Sequence, residues 1–193
     1  LVIASEGSFG SHPSMFFAQA DDELVILIDK KNGLEIIARE LSLETNFNAN
    51  KISTYQQLKT FAQQVNFPSH GLIIKDSDEK EAKIYKGITD WNDLKRIYDI
   101  VSSFSLAIHV ETDMRAHRNP TRMQVIEKAT QNLIKKINTL CPNCQTPGFD
   151  VSEFIKGLPC EWCQSPTESI LAIQYTCKKC SHTTLEKHPK GKH

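Results

Sequence analysis

The sequence predicts an α/β domain, a mixed sheet with flanking helices, followed by a small cysteine-rich module. Three observations predict it. After an early hairpin signal, β-prone runs alternate with segments of helical periodicity, the pattern of a sheet with helices packed on it. All six cysteines of the 193 residues fall between Cys141 and Cys180. They fall there as three Cys-x2-Cys pairs, Cys141/Cys144, Cys160/Cys163 and Cys177/Cys180.

The elements follow in order. Leu1 to Ser5 reads as a strand, running into a glycine-punctuated loop from Glu6 to Pro13, where two glycines permit close backbone approach. Glu23 to Ile28 is a short apolar run ending at Asp29, and Asn32-Gly33 signals a hairpin. Leu34 to Leu41 is its returning strand, and a polar loop begins at Glu44. Ser53 and Gln56 form a capping box for a helix that puts Tyr55, Leu58, Phe61, Ala62 and Val65 on one face, and Phe67-Pro68 ends it. Gly71 to Lys75 is a strand, Asp76 to Glu81 a charged loop and Lys83 to Lys86 a short strand. Thr89 caps a second helix with Trp91, Leu94, Ile97, Tyr98 and Val101 inward, and Leu106 to Val110 is a further strand. Asn119 as N-cap and Pro120 as first helical residue start a helix to about Leu140, with Ile126, Ala129, Leu133, Ile134 and Ile137 as its buried stripe.

Composition narrows the function. Charged residues are 24%, net formal charge is zero and the pI is near 7.2, so nucleic acid stays a possible partner that charge does not favour over protein. The longest apolar run, Leu24 to Ile28, is far too short to span a bilayer, which argues against a membrane partner. No secretory signal is evident, so a cytoplasmic location with reduced thiols is expected. The chain opens at Leu1-Val2-Ile3 inside a strand, without methionine, and further sequence before it is expected.

A Cys-x2-Cys turn points two sulfurs at one spot, and two such turns complete a tetrahedral zinc site. The gaps here, 15 residues between Cys144 and Cys160 and 13 between Cys163 and Cys177, are near zinc-ribbon spacing. Disulfides would need an oxidising compartment. A redox pair usually stands between a strand and a helix, whereas Cys141 follows a helix. Structural zinc is therefore the expected cofactor, with Cys141, Cys144, Cys160, Cys163, Cys177 and Cys180 as ligands. The segment from Gln164 to Thr176 ends in the β-prone run Ile170 to Tyr175, so the best single ribbon is Cys160, Cys163, Cys177 and Cys180. Cys141 and Cys144 then need partners from His182, His188 or a fourth pair beyond His193. The expected organisation is an α/β domain over 1–138, a zinc-ribbon-like module over 139–185 and a polar, disordered tail over 186–193.

A second candidate site is acidic and basic. Ligands in open α/β sheets collect at the carboxyl ends of strands, where Glu6, Asp29, Glu111 and Asp113 fall. Arg115, His117, Arg118 and Arg122 stand at or before a helix start, which favours anions. Glu6, Glu111 and Asp113 would hold magnesium or manganese, Arg115 and Arg122 would neutralise a phosphate and His117 would move a proton. The alternative is a salt-bridge network with a purely structural role. His12 and His70 read as turn residues and His109 as a structural strand residue.

Five segments, 5–13 (SEGSFGSHP), 44–48 (ETNFN), 67–71 (FPSHG), 111–123 (ETDMRAHRNPTRM) and 157–163 (GLPCEWC), together resemble a bacterial family defined as a domain of unknown function. The resemblance spans nearly the whole chain. It implies a cytoplasmic protein with a C-terminal module of cysteine pairs, an additional N-terminal α/β segment and a fourth pair beyond this end, and no established activity. A fainter likeness, carried by Glu6-Gly7 and the strand order, is to pyrophosphatases of non-standard nucleotides. Two functions follow: a zinc-containing binding or regulatory protein with a protein partner, or a divalent-metal-dependent hydrolase of nucleotides or other small phosphoesters.

Overall fold

The computed structural model describes residues 1–77, 82–105 and 108–191. Its elements are β1 (Val2–His12), β2 (Met15–Asp29), β3 (Leu34–Ser42), β4 (Ala49–Ile52), α1 (Tyr55–Gln64), β5 (Leu72–Lys75), β6 (Ile84–Ile88), α2 (Trp91–Ser102), β7 (Ile108–Thr112), a short 3-10 turn Ala116–Arg118, α3 (Pro120–Asn138), β8 (Asp150–Lys156), β9 (Ile170–Thr176) and β10 (Thr183–Lys187). They form three sheets, ordered β1-β2-β3, β4-β7-β5-β6 and β8-β9-β10. The alternation of strands and helices is as expected, but the expected mixed sheet is not. All pairings of the four-stranded sheet are antiparallel, because β5 and β6 form a hairpin and β7 inserts between β4 and β5. No helix among the described residues is long and apolar enough to cross a membrane.

The chain divides into two compact units, one of residues 1–4, 25–38 and 130–193, the other of residues 5–24 and 39–129. The boundary expected after residue 138 falls inside the first unit. That unit takes in the end of α3 and the tip of the β2–β3 hairpin as well as the cysteines. Gly148, at φ +86°, lies so close to Ile36 that a Cβ there would come within 3.0 Å of its side chain.

In the second unit, α1 packs on β4 and α2 on β6. Leu58, Phe61 and Ala62 of α1, Leu94, Ile97 and Val101 of α2, and Leu72, Ile74, Ile108 and Val110 of the sheet share one buried cluster. Phe67 meets Trp91 edge-on at 4.7 Å. The helix starts differ from expectation by one residue. Thr54 and Gln57, not Ser53 and Gln56, form the capping box of α1, since this register turns Leu58 and Phe61 into the core. Asp90 rather than Thr89 caps α2, accepting from the Asp93 N–H at 2.9 Å. On α3 the buried stripe is Val125, Ala129 and Leu133, while Ile134, expected inward, is 51% exposed.

The largest departure is at 6–13. The expected loop is strand to His12, and β1 pairs with a 15-residue β2. Two residues join them, as in an antiparallel hairpin. Gly7 serves close approach rather than turning. A Cβ on Gly7 would stand 2.3 Å from Glu23 Oε1 and 2.6 Å from an Arg122 nitrogen. The Asn32-Gly33 hairpin forms as expected, with Asp29 Oδ1 accepting from the N–H groups of Lys31 and Asn32 and Gly33 at φ +67°. Part of the loop 76–81 and the start of the strand expected at 106–110 lie outside the described residues.

Candidate metal centre

Each cysteine pair is a knuckle, and two of the three meet. Cys141 Sγ lies 3.7 Å from Cys180 Sγ, Cys144 Sγ lies 3.7 Å from Cys177 Sγ, and all four sulfurs are within 4.8 Å of one another. A tetrahedral zinc with Zn–S bonds of about 2.3 Å requires S···S edges of about 3.8 Å. A disulfide requires about 2.05 Å, and all six cysteines are free thiols. The donor set and its spacing fit a tetrahedral thiolate metal ion.

The ribbon expected from Cys160 to Cys180 is therefore not the one formed: the first knuckle pairs with the third. The β-prone run 170–175 is the reason. It becomes β9, antiparallel to β8, with Asp150 opposite Thr176 and Lys156 opposite Ile170. Cys177 leaves the end of β9 that faces the start of β8, just after the first knuckle. Cys160 and Cys163 follow the other end of β8. Seven extended residues span about 20 Å, too far for one ion.

Local structure holds the first site. Thr146 Oγ1 hydrogen-bonds Cys144 Sγ at 3.2 Å, and Asn143 Nδ2 reaches Cys180 Sγ at 3.6 Å. Cys141 and Cys177 are buried with Phe149, whose ring stacks on Tyr175 at 6.0 Å and tilts to His182 at 6.2 Å. Burial pushes the Cys141 thiol up to about 11, while its bonds to Thr146 bring Cys144 down to about 6. Backbone N–H donation, first from Cys180, lowers Cys177. Four thiolates this close repel unless a cation sits among them, so metal binding and thiol deprotonation are linked. With four sulfurs the site is closed, the pattern of structural rather than catalytic zinc.

The acidic and basic residues singled out from sequence are placed differently from one another. Glu6 is exposed on β1. Glu111 on β7 binds Lys75 Nζ at 2.7 Å. Asp113 is fully buried, bound by Arg115 Nε at 2.9 Å and Nη2 at 2.6 Å and by the Gly87 N–H at 3.1 Å. Burial alone would raise its pKa; the bonds and charge of Arg115 outweigh this and hold it below the ordinary range. Arg122 donates to Glu23 Oε1 at 2.6 Å and to the Met114 carbonyl at 2.6 Å, and stacks 5.1 Å from the Phe9 ring. His117 and Arg118 line a groove of about 790 Å³ with Pro68, Asn119 and Met123. Among the described residues, the four cysteines are the single group of three or more His, Cys, Asp or Glu ligands close enough for one metal.

What the structure does bring together are four of the five motif segments, 5–13, 44–48, 67–71 and 111–123. Gly71 N–H donates to Arg118 O, and Asp113 N–H to Gly71 O, both at 2.8 Å. Asn119, which caps α3 through the Arg122 N–H, donates to Asn46 Oδ1 at 2.8 Å. Phe47 meets Phe9 at 5.8 Å. His70, read as a turn residue, is buried between Ser69 and Thr121. Its Nε2 accepts from the Thr121 N–H, so Nδ1 carries the proton toward Ser69 Oγ, and burial lowers its pKa.

Sequence reasoning missed two carboxylates. Asp21 and Glu23 are fully buried on β2, and neither Asp21 oxygen has a hydrogen-bond partner among the described residues. Burial, then the charge of Glu23, raises Asp21 to about 7. The signal was period two: residues 21 and 23 share the face of buried Val25. No curated protein and no solved structure matches the chain. A family model described as "Domain of unknown function (DUF6671)" matches residues 1–193, and the chain belongs to that family.

Proposed function

We propose that the chain is a zinc-stabilised binding protein whose cysteine module presents a surface to a protein partner. The observation that carries this is the closed four-sulfur group of Cys141, Cys144, Cys177 and Cys180. Such a site fixes structure and leaves no coordination position for a substrate. On the same module Trp162 is 95% exposed and Phe154 58% exposed, apolar surface suited to a protein contact. Zero net charge favours protein over nucleic acid, and free thiols favour a reducing compartment such as the cytoplasm. Metal analysis of the reduced protein tests the site, with one zinc or more per chain expected. Affinity capture with and without Trp162→Ala and Phe154→Ala tests the surface. A protein free of zinc ends this reading.

A second reading keeps the groove beside His117 and Arg118, lined by segments 67–71 and 111–123, for a small phosphorylated ligand. As a magnesium- or manganese-dependent hydrolase it draws less support, because Glu111 is held by Lys75 and Asp113 by Arg115 and Gly87. A nucleotide panel with magnesium, read both for turnover and for thermal stabilisation, separates binding from hydrolysis. Arg118→Ala abolishes the stabilisation if the groove is the site.

A further inference from the structure

The pair Cys160 and Cys163 belongs to no four-ligand group among the described residues. Its backbone nevertheless repeats that of the two knuckles that do. In each knuckle the first cysteine's N–H donates to the carbonyl five residues on, and its carbonyl accepts from the N–H four residues on. Cys141 pairs so with Thr146 and Gln145, Cys160 with Ser165 and Gln164, and Cys177 with His182 and Ser181, all at 2.9 Å. The residue after the second cysteine is left-handed each time, at φ 58° for Gln145, 59° for Gln164 and 58° for Ser181. A non-glycine residue there costs about 1 kcal/mol or more, so three repetitions mark a shape that is maintained. The sequence repeats as well. Residues 141–147 read Cys-x2-Cys-Gln-Thr-Pro and 160–166 read Cys-x2-Cys-Gln-Ser-Pro. Isolated bridges close both, Leu140 to Pro147 and Pro159 to Pro166. A hydroxyl, Thr146 or Ser165, hydrogen-bonds the second sulfur in each.

We propose that Cys160 and Cys163 are the thiolate half of a second zinc site, whose other two ligands come from outside the β8–β9 hairpin. Zinc takes four ligands, and two thiolates leave two positions. The site stands at the end of the β8-β9-β10 sheet opposite the first centre. Two sources can reach it. β10 runs back along β9, with Lys187 opposite Ala172 and the His188 N–H donating to Leu171 O at 2.8 Å. This carries the segment after β10 toward that end, and His188 Nδ1 is buried there without a partner among the described residues. The other source is a second copy of the chain. Trp162, between the two cysteines, is 95% exposed, so the knuckle is open to one.

The inference rests on reading the four-cysteine group as a zinc site, and one experiment separates the two. Zinc per chain and solution mass are measured on reduced, zinc-loaded protein, wild type and the C160S/C163S variant. The wild type is expected to hold more than one zinc per chain: two in a monomer if the segment after β10 supplies ligands, one and a half in a dimer if a second copy does. C160S/C163S falls to one zinc, as a monomer. One zinc in the wild type, with Cys160 and Cys163 both alkylated at the rate of free thiols, overturns the second site and leaves the first standing. A variant holding no zinc while folded instead overturns the first. Should the variant fail to fold, cadmium substitution of the wild type decides: thiolate-to-metal absorbance for six sulfurs supports the proposal, and for four overturns it.

Discussion

Around α1, α2 and the four-stranded sheet, fourteen apolar side chains are buried together, from Ile52 to Val110. Around the knuckles the corresponding cluster has three buried members, Cys141, Phe149 and Cys177, and two of those belong to the four-sulfur group. At about 1.5–3 kcal/mol per buried side chain, the first region gains tens of kcal/mol from burial. The few buried apolar side chains of this segment, Phe149, Leu158 and Ala172 beside Cys141 and Cys177, cannot offset its ordering at about 1–2 kcal/mol per residue. One region is held by excluding water; the other has little apolar burial and four sulfurs spaced to hold a metal ion. On the proposed zinc reading, the β8-β9-β10 sheet would depend on an ion as the four-stranded sheet does not.

Metal removal tests that contrast most severely. Structural zinc contributes on the order of 10–16 kcal/mol at neutral pH. A chelator should open the segment from about residue 139 to 185 to protease while the second unit keeps its helical signal. Cys141→Ser and Cys177→Ser should act alike, since both sulfurs belong to one site. Protease mapping with mass spectrometry checks this, and intact 139–185 after full zinc loss breaks the comparison.

The converse change is Leu94→Ala, at a fully buried position in the apolar cluster. It should cost about 2–5 kcal/mol and leave zinc bound. Urea unfolding followed by helix signal, with a zinc-release dye in the same cuvette, reads both.

A subtler contrast comes from pH. The Asp21 carboxyl is raised from 3.8 to about 7, so the folded state holds this proton more tightly than the unfolded chain. Its stabilising contribution is complete below about pH 4 and is lost as pH rises through 7. His70 has the opposite sign: burial lowers its pKa, and stability present above 6.5 is lost as pH falls. Asp21→Asn should raise stability at pH 7.5 and flatten the Asp21 part of the profile, a slope of at most about 1.4 kcal/mol per pH unit. Urea midpoints from pH 4.5 to 8 for both proteins measure it; parallel curves sink the assignment. The smallest effect belongs to the α1 cap, where Thr54→Ala should cost about 1 kcal/mol. Ser53→Ala should cost less, and thermal melts rank the two.

The six ligand-type cysteines and the helix faces of α1 and α2 are legible in the sequence because they rest on local spacing. Which knuckles join is not local. It depends on β8 pairing with β9, and β8 (DVSEFIK) has no run of alternation strong enough to announce itself. Glycines at 7 and 10 argue for a loop until Glu23 and Arg122 are found pressed against Gly7. Asp21 and Glu23 look like the polar edge of a strand until the strand proves to be 15 residues long. The cluster at 111–122 is visible as chemistry, but its partners Lys75, Gly87 and Glu23 lie far away in sequence.

Pairing the first knuckle with the third also sets an order of events during synthesis. The ribosome delivers Cys141, Cys144, Cys160 and Cys163 before Cys177 exists. At about 5–20 residues per second, the 17 residues from Gln164 to Cys180 take about one to three seconds. For that interval the nascent chain offers four thiols, 15 residues apart between pairs, to any available ion. The growth of β9 against β8 is what pulls the early pairs to opposite ends of a sheet. Strand pairing would thus edit the first choice of partners open to a metal-binding chain.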